Sequence, residues 1–433
     1  MDWNLLAQQL DNARHSLQPT HRLISLTLPL SAPAPLRLGR CFWHREHLTL
    51  SGTGHAVRIE VTGADRMTSL SIALEKLLSE WYFTAPQPHA FTGFSFDPRI
   101  SQSTPLPDAL LWVPELLLTR DHTQNWVTFS CPVHRMDQAL AHWQQTWRDE
   151  QPQNRGLSPI SSLISEKTES DSFLQRGRAA LHAIAAGEVE KLVLTRALRL
   201  QADAPIAVQS VLEFLATHYP TCATYGLSGE DWAFVGSSPE TLLRLNGTQV
   251  KIDVLAGTAW NATSSLESDK NRREHAFVAQ AAFEALSALC TEVTGPQQPD
   301  HLQIGTLSHL RQCLTALRPP HVSVFDLIAR CHPSPAIGGT PSATALNWLI
   351  QQGESRPAWY TGGFGWIDAG GNCDIACALR CGLIESQTVT LYAGAGFVAG
   401  SDPEQELEET EAKFSPMLNA LSNRKNPHES PMG

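Results

Sequence analysis

The run from Tyr392 to Leu418, YAGAGFVAGSDPEQELEETEAKFSPML, joins a Gly-rich strand directly to an acidic helix. Gly394 and Gly396 have no Cβ and so admit a ligand close to the backbone, while Ser401, Asp402 and Pro403 are the residue types of a helix cap and first turn. Glu406 and Glu409 are three apart and Lys413 lies one turn beyond Glu409, so all three share a helix face. Aimed into a cavity, two carboxylates and an ammonium make a site for a divalent cation and an anionic ligand. On a solvated helix the same spacing is only dipole-favoured acids and an ordinary Glu–Lys pair.

Other candidates lie upstream. In EKLVLTR, strand alternation puts Lys191 with Val193 and Thr195 on one face; a lysine there is either an edge-strand charge or a buried base. Glu240 ends VGSSPE, a turn between two apolar strands, where it either accepts hydrogen bonds from the turn or presents a carboxyl to a site. Glu274, in KNRREHAFV, precedes Val278 by one helical turn and so falls on or beside the apolar stripe through Ala282 and Leu289, where an acid needs a partner. Arg380, in ACALRCGLI, reads as a strand arginine with almost wholly apolar neighbours. Cys373, Cys377 and Cys381 lack the spacing of a zinc site and read as core thiols.

The elements that must carry these groups are legible in outline. DSFLQRGRAALHAIAAG has helical periodicity and stops at Gly187; EKLVLTRALRL is a strand; Asn246-Gly247 joins two strands as a hairpin; SLESDKNRREHAFVAQAAFEALSALC is a long helix. The stretch GFGWIDAGGNCDIACALRCGLIESQTVTLYAGAG reads as three antiparallel strands with turns at Gly370-Gly371 and Glu385-Ser386-Gln387. Residues 1–165 show short strands and amphipathic helices with little chemistry, and Arg148 to Ser162 reads as a linker or surface loop. Antiparallel strands separated by long helices predict an α+β fold.

Composition bounds the partners. The chain has 433 residues, 42% of them hydrophobic, and a formal net charge of -11 from 32 basic and 43 acidic residues, which argues against nucleic acid or an anionic membrane as partner. Nine irregularly spaced cysteines, an N-terminus without a signal-peptide pattern and no run of transmembrane length point to a reduced, cytoplasmic protein. Neither Gly-rich segment has the context of a nucleotide-binding fingerprint.

Together these motifs resemble those of the chorismate-utilising enzymes, the family of isochorismate synthase, salicylate synthase, anthranilate synthase component I and aminodeoxychorismate synthase. Gly394, Gly396, Glu406, Glu409 and Lys413 fall on its AGAGIV and ExxExxxK signatures, Lys191 on K-V-V-L-x-R, Glu240 on GxSPE and Glu274 on xEH. The likeness spans roughly residues 170 to 420. It implies two large packed antiparallel sheets with helices outside, a variable N-terminal half (1–165) contributing to the scaffold and a chorismate-binding catalytic region (166–425). It also implies that Lys191 activates water, that Glu240 protonates the departing C4 hydroxyl, and that Glu274 and Glu409, with Glu406, hold Mg²⁺ against the ring carboxylate. Arg380 then pairs with the enolpyruvyl carboxylate, and Gly257, Thr258, His309 and Lys413 lie near the ligand.

Lys191, where amine-transferring relatives have Gln, together with Ala256 and the CHPSPAIGGTP loop, is most similar to isochorismate synthases, of the menaquinone type by the N-terminal half and length. No glutaminase partner is then expected. Salicylate synthase, a siderophore-pathway isochorismate synthase and a non-catalytic chorismate-binding subunit remain the alternatives. The loop between Thr258 and Glu274 is shorter than the family pattern and has Trp260-Asn261 in place of the common RG.

Overall fold

The computed structural model describes residues 1–30, 39–100, 104–122, 124–149, 167–259, 265–305 and 307–422. Most of the Arg148 to Ser162 stretch, and residues 260–264 of the shortened loop, lie outside them. Among the described residues the strands form two large sheets, one of twelve strands and one of ten, with helices packed around them. Every described strand pairing is antiparallel except that of Leu23–Leu30 with Trp81–Phe83.

Both halves of the chain build both sheets. The first sheet passes from the C-terminal to the N-terminal half where Ala223–Ser228 pairs with Cys41–Arg45; the second does so where Gly363–Asp368 pairs with His89–Phe94. The two sheets meet over an aromatic core that takes Trp43, Tyr225 and Phe234 from the first and Phe91, Trp112 and Phe364 from the second. Aromatic side chains bury large areas and pack edge-on or offset, so this cluster fixes how the sheets face each other.

The sequence elements appear largely as expected, including the helix Lys167–Ala185, the strand Lys191–Gln201 and the hairpin pairing Asn246 with Gln249. One reading is corrected. The stretch from Gly363 to Val398 is four strands, because the expected middle strand breaks at Ala378–Arg380. Cys373–Cys377 belongs to the second sheet and Cys381–Glu385 to the first, so the chain changes sheets there, with Arg380 at φ 50°. Arg380 is therefore no strand arginine. The apolar flanks that suggested one strand are two strand ends, each buried in a different sheet.

The same crossing occurs at Pro239–Glu240, between Trp232–Ser238 in the first sheet and Thr241–Asn246 in the second. Pro239 has no N–H to extend the ladder, which suits it to the exit from a strand. The two crossovers lie side by side: Ser237 N–H donates to the Arg380 carbonyl at 3.2 Å, and Cys377 N–H donates to the Glu240 carbonyl at 3.1 Å. Residues 140 apart in sequence are thereby held as neighbours at the seam between the sheets.

Two helices complete the site. Asp269–Ser287 starts at Ser268, whose hydroxyl accepts from Asn271 N–H, and packs on the strand Gln249–Ala259. Pro403–Ser422 lies against the strand Thr388–Val398, burying Phe414, Met417 and Leu421. Its acids at Glu406 and Glu409 are buried as well, which excludes the solvated-helix reading.

Candidate active site

A cavity of about 670 Å³, counting its mouth, opens where these elements converge. Val193, Glu240, Gly257, Thr258, Glu274, His309, Arg380, Gly394, Gly396, Glu409 and Lys413 line it, together with Ile337, Tyr360, Thr361 and Tyr392. Ten of the twelve residues singled out from the sequence line this cavity, all but Lys191 and Glu406. The size and mixed lining suit a small polar ligand.

Lys191 lies behind the wall. Its side chain is fully buried, and Nζ is 2.9 Å from Glu274 Oε1. The contact exists because the intervening strand has glycine there: a Cβ at Gly396 would overlap the Glu274 carboxylate and stand 3.1 Å from Lys191 Cε. Full burial rules out the edge-strand charge. It also fixes a condition on chemistry, since Nζ has a lone pair for water only when its pairing with Glu274 is given up.

Glu240 is in a different state. Burial, reinforced by the nearby Asp253 carboxylate, pushes its carboxyl up to about 8 despite the opposing charges of Lys191, Lys413 and Arg380. At neutral pH it therefore carries a proton. Glu274 is largely desolvated too, with 12% of its side chain exposed, but the ammonium groups of Lys191 and Lys270 outweigh that desolvation and hold it below the ordinary carboxylate range.

Arg380, His309 and Thr258 form a relay along the wall. Arg380 Nη2 donates to His309 Nε2 at 3.1 Å, so Nδ1 carries the imidazole proton and donates to Thr258 Oγ1 at 3.2 Å. Burial, with Arg380 and Lys413 nearby, drives His309 far below its usual range, consistent with a neutral ring. Arg380 Nη1 is buried and has no hydrogen-bond partner among the described residues. A guanidinium with a free, desolvated donor on a cavity wall is a receptor for an anion.

The carboxylates offer a partial cation site. Glu274 and Glu409 reach the cavity from different helices, whereas Glu406 is fully buried behind it and paired with Lys270. Burial and the neighbouring Glu409 push Glu406 up to about 7. Lys413 Nζ is 2.6 Å from Glu409 and donates to the Gly394 carbonyl at 2.8 Å. Among the described residues no three acids, histidines or cysteines converge on one point, because each glutamate turns to a lysine instead. Two oxygen donors facing one space, and a buried Glu406 Oε2 without a hydrogen-bond partner among the described residues, fit a hard cation that retains waters.

Sequence reasoning missed several contributors. Lys270 sits one turn before Glu274, a spacing that could have revealed it. Tyr360 and Tyr392 stack at 5.5 Å along the wall. Arg356, fully buried, donates to the Val193 carbonyl at 2.8 Å, to Thr361 Oγ1 at 3.1 Å and to the Ile337 carbonyl, tying three segments of the wall together. Nothing in SRPAWYT announces that role. The nine cysteines are all free, and Cys373, Cys377 and Cys381 are buried.

The profile of the family described as "Chorismate binding enzyme" matches residues 10–422. The chain belongs to that family. The match extends through the N-terminal half, as expected of strands that share both sheets with the catalytic region. Among curated relatives, isochorismate synthase MenF of Bacillus subtilis (strain 168) is 31% identical over 357 residues, covering 78% of this chain and 75% of that protein. Isochorismate synthase DhbC of the same organism is 34% identical over 291 residues, covering 63% and 72%. The solved structure of the menaquinone-specific isochorismate synthase MenF from Escherichia coli superposes with a TM-score of 0.77 at 21% identity, covering 96% of this chain and 99% of that one, a likeness of fold. No helix among the described residues is long and apolar enough to cross a membrane.

Proposed function

We propose that the protein is a Mg²⁺-dependent isochorismate synthase that converts chorismate to isochorismate, for menaquinone synthesis. The observation that carries the reading is the pairing, around one cavity, of a buried glutamic acid that keeps its proton, Glu240, with a buried lysine, Lys191. The names of the curated relatives supply the reaction, and the N-terminal half and length of the chain, with MenF of Bacillus subtilis among those relatives, favour the menaquinone assignment.

In this reading Arg380 Nη1 receives the enolpyruvyl carboxylate of chorismate, and Tyr360 and Ile337 pack beside the ring. Lys191 Nζ, freed from Glu274, accepts a proton from water as the water oxygen bonds to C2. Glu240 gives its proton to the C4 hydroxyl, which leaves as water while the ring double bond shifts. Mg²⁺, held by Glu274 and Glu409, would neutralise the ring carboxylate. Ala256 leaves no lysine at the position that marks the amine-transferring aminodeoxychorismate synthase, and no glutaminase partner is required.

Product analysis of purified protein with chorismate and Mg²⁺ tests the reading. The expected result is isochorismate in reversible equilibrium with chorismate, with no pyruvate in a lactate-dehydrogenase-coupled assay and no change on adding ammonia. Stoichiometric pyruvate with fluorescent salicylate would replace it with salicylate synthase. Saturable chorismate binding without turnover would replace it with a binding subunit.

A further inference from the structure

The three site glutamates are matched one to one with lysines. Glu274 pairs with Lys191 at 2.9 Å, Glu409 with Lys413 at 2.6 Å, and Glu406 with Lys270. Each acid of the cluster therefore has its own countercharge. Two of these lysines have a place in the proposed reaction: Lys191 as base, Lys413 at the Gly394 carbonyl on the ligand wall. Lys270 has none, since it does not line the cavity.

Its position nevertheless singles it out. Glu406 is fully buried, its Oε2 has no hydrogen-bond partner among the described residues, and Lys270 is the cation that contacts it. A buried carboxylate without a countercharge is costly, so Glu406 must have either this ammonium, a proton or a metal ion. Lys270 also stands on the same face as Glu274, one turn earlier, with its charge directed at the acids that would bind the metal.

We propose that Lys270 is a built-in counter-ion of the acid cluster that weakens divalent-metal binding in the free enzyme and makes metal capture depend on the substrate carboxylate. The proposal rests on the metal reading above. A cluster whose acids are each matched by a lysine offers a dication little attraction, and a carboxylate arriving with the substrate supplies further negative charge. Without Lys270 the buried Glu406 lacks its ammonium, and a divalent ion is then suited to take that place with Glu406 as a further ligand.

Mn²⁺ titration followed by the electron paramagnetic resonance signal of the free ion tests this on the full chain, without turnover as the readout. Lys270→Met is expected to bind Mn²⁺ in the absence of chorismate at least about tenfold more tightly than the unaltered protein, with a smaller further gain on adding chorismate. Adding Glu406→Gln to that variant should cancel the gain. Lys270→Gln, which removes the charge but keeps a hydrogen-bond donor for Glu406, should also bind more tightly, and it serves if the Met variant does not fold. Equal Mn²⁺ affinity in the unaltered protein and a folded neutral variant would overturn the counter-ion role while leaving the metal site standing. No Mn²⁺ binding by the unaltered protein even with chorismate would overturn both.

Discussion

Glu240 and Glu274 are the same residue type and line the same cavity, yet one is a carboxylic acid and the other a carboxylate at neutral pH. The difference lies in the elements that carry them. Glu240 sits on a crossover between the sheets, where the groups around it are backbone, apolar side chains and Asp253; its cationic neighbours act without contacting it. Glu274 stands on a helix, and Lys191, on a strand of the first sheet, contacts its carboxylate at 2.9 Å, with Lys270 nearby. Burial alone pushes a carboxyl toward the neutral form, and at Glu274 the contact with Lys191 and the nearby Lys270 reverse it. One side of the cavity is thus prepared to give a proton and the other to hold positive charge.

Removing the acid side should have the largest effect. Glu240→Gln keeps the shape and deletes the transferable proton, so turnover is expected to fall by about 10²–10⁴-fold while chorismate binding persists. A variant with near-normal turnover would show that Glu240 only receives hydrogen bonds from its turn.

On the helix side, Glu409→Gln should act through the metal. Losing one of two cavity-facing carboxylates is expected to raise the Mg²⁺ concentration for half-maximal activity by at least about tenfold, with a smaller change in turnover at saturating metal. An unchanged Mg²⁺ titration would make the two sides of the cavity less different than their chemistry suggests.

The smallest effect is in pH dependence. Because Glu240 titrates at about 8, above its ordinary carboxyl range, kcat/KM should fall as pH rises through about 8. The same shift has a sign for stability. Between the ordinary carboxyl range and about 8 the folded protein binds this proton and the unfolded chain does not, so folding should weaken as pH rises through that window. Glu240→Gln should flatten that slope, measured as melting temperature against pH.

The sequence by itself determined the α+β class, the principal helices, the hairpin at Asn246-Gly247 and the residue types of the site. These follow from local periodicity and from motifs whose residues are close in the chain. Gly396 reads from the sequence as room for a ligand, whereas the structure fills that room with the carboxylate of Glu274, 122 positions away. What only the tertiary structure decided depends on contacts across the two sheets. The break at Ala378–Arg380 was hidden because the residues on either side of it, Ile375 to Cys377 and Cys381 to Ile384, are apolar, and apolar runs do not reveal which sheet they enter. Whether Lys191 was a surface charge or a buried one, and whether the acidic helix faced water or the core, turned on what packs against them. The protonation of Glu240 was equally out of reach, because it depends on Asp253 and a desolvated seam rather than on the residues beside it in the chain. Local sequence specifies which groups are present; the dielectric and the nearest countercharge, which decide what each group does, exist only once distant segments have packed.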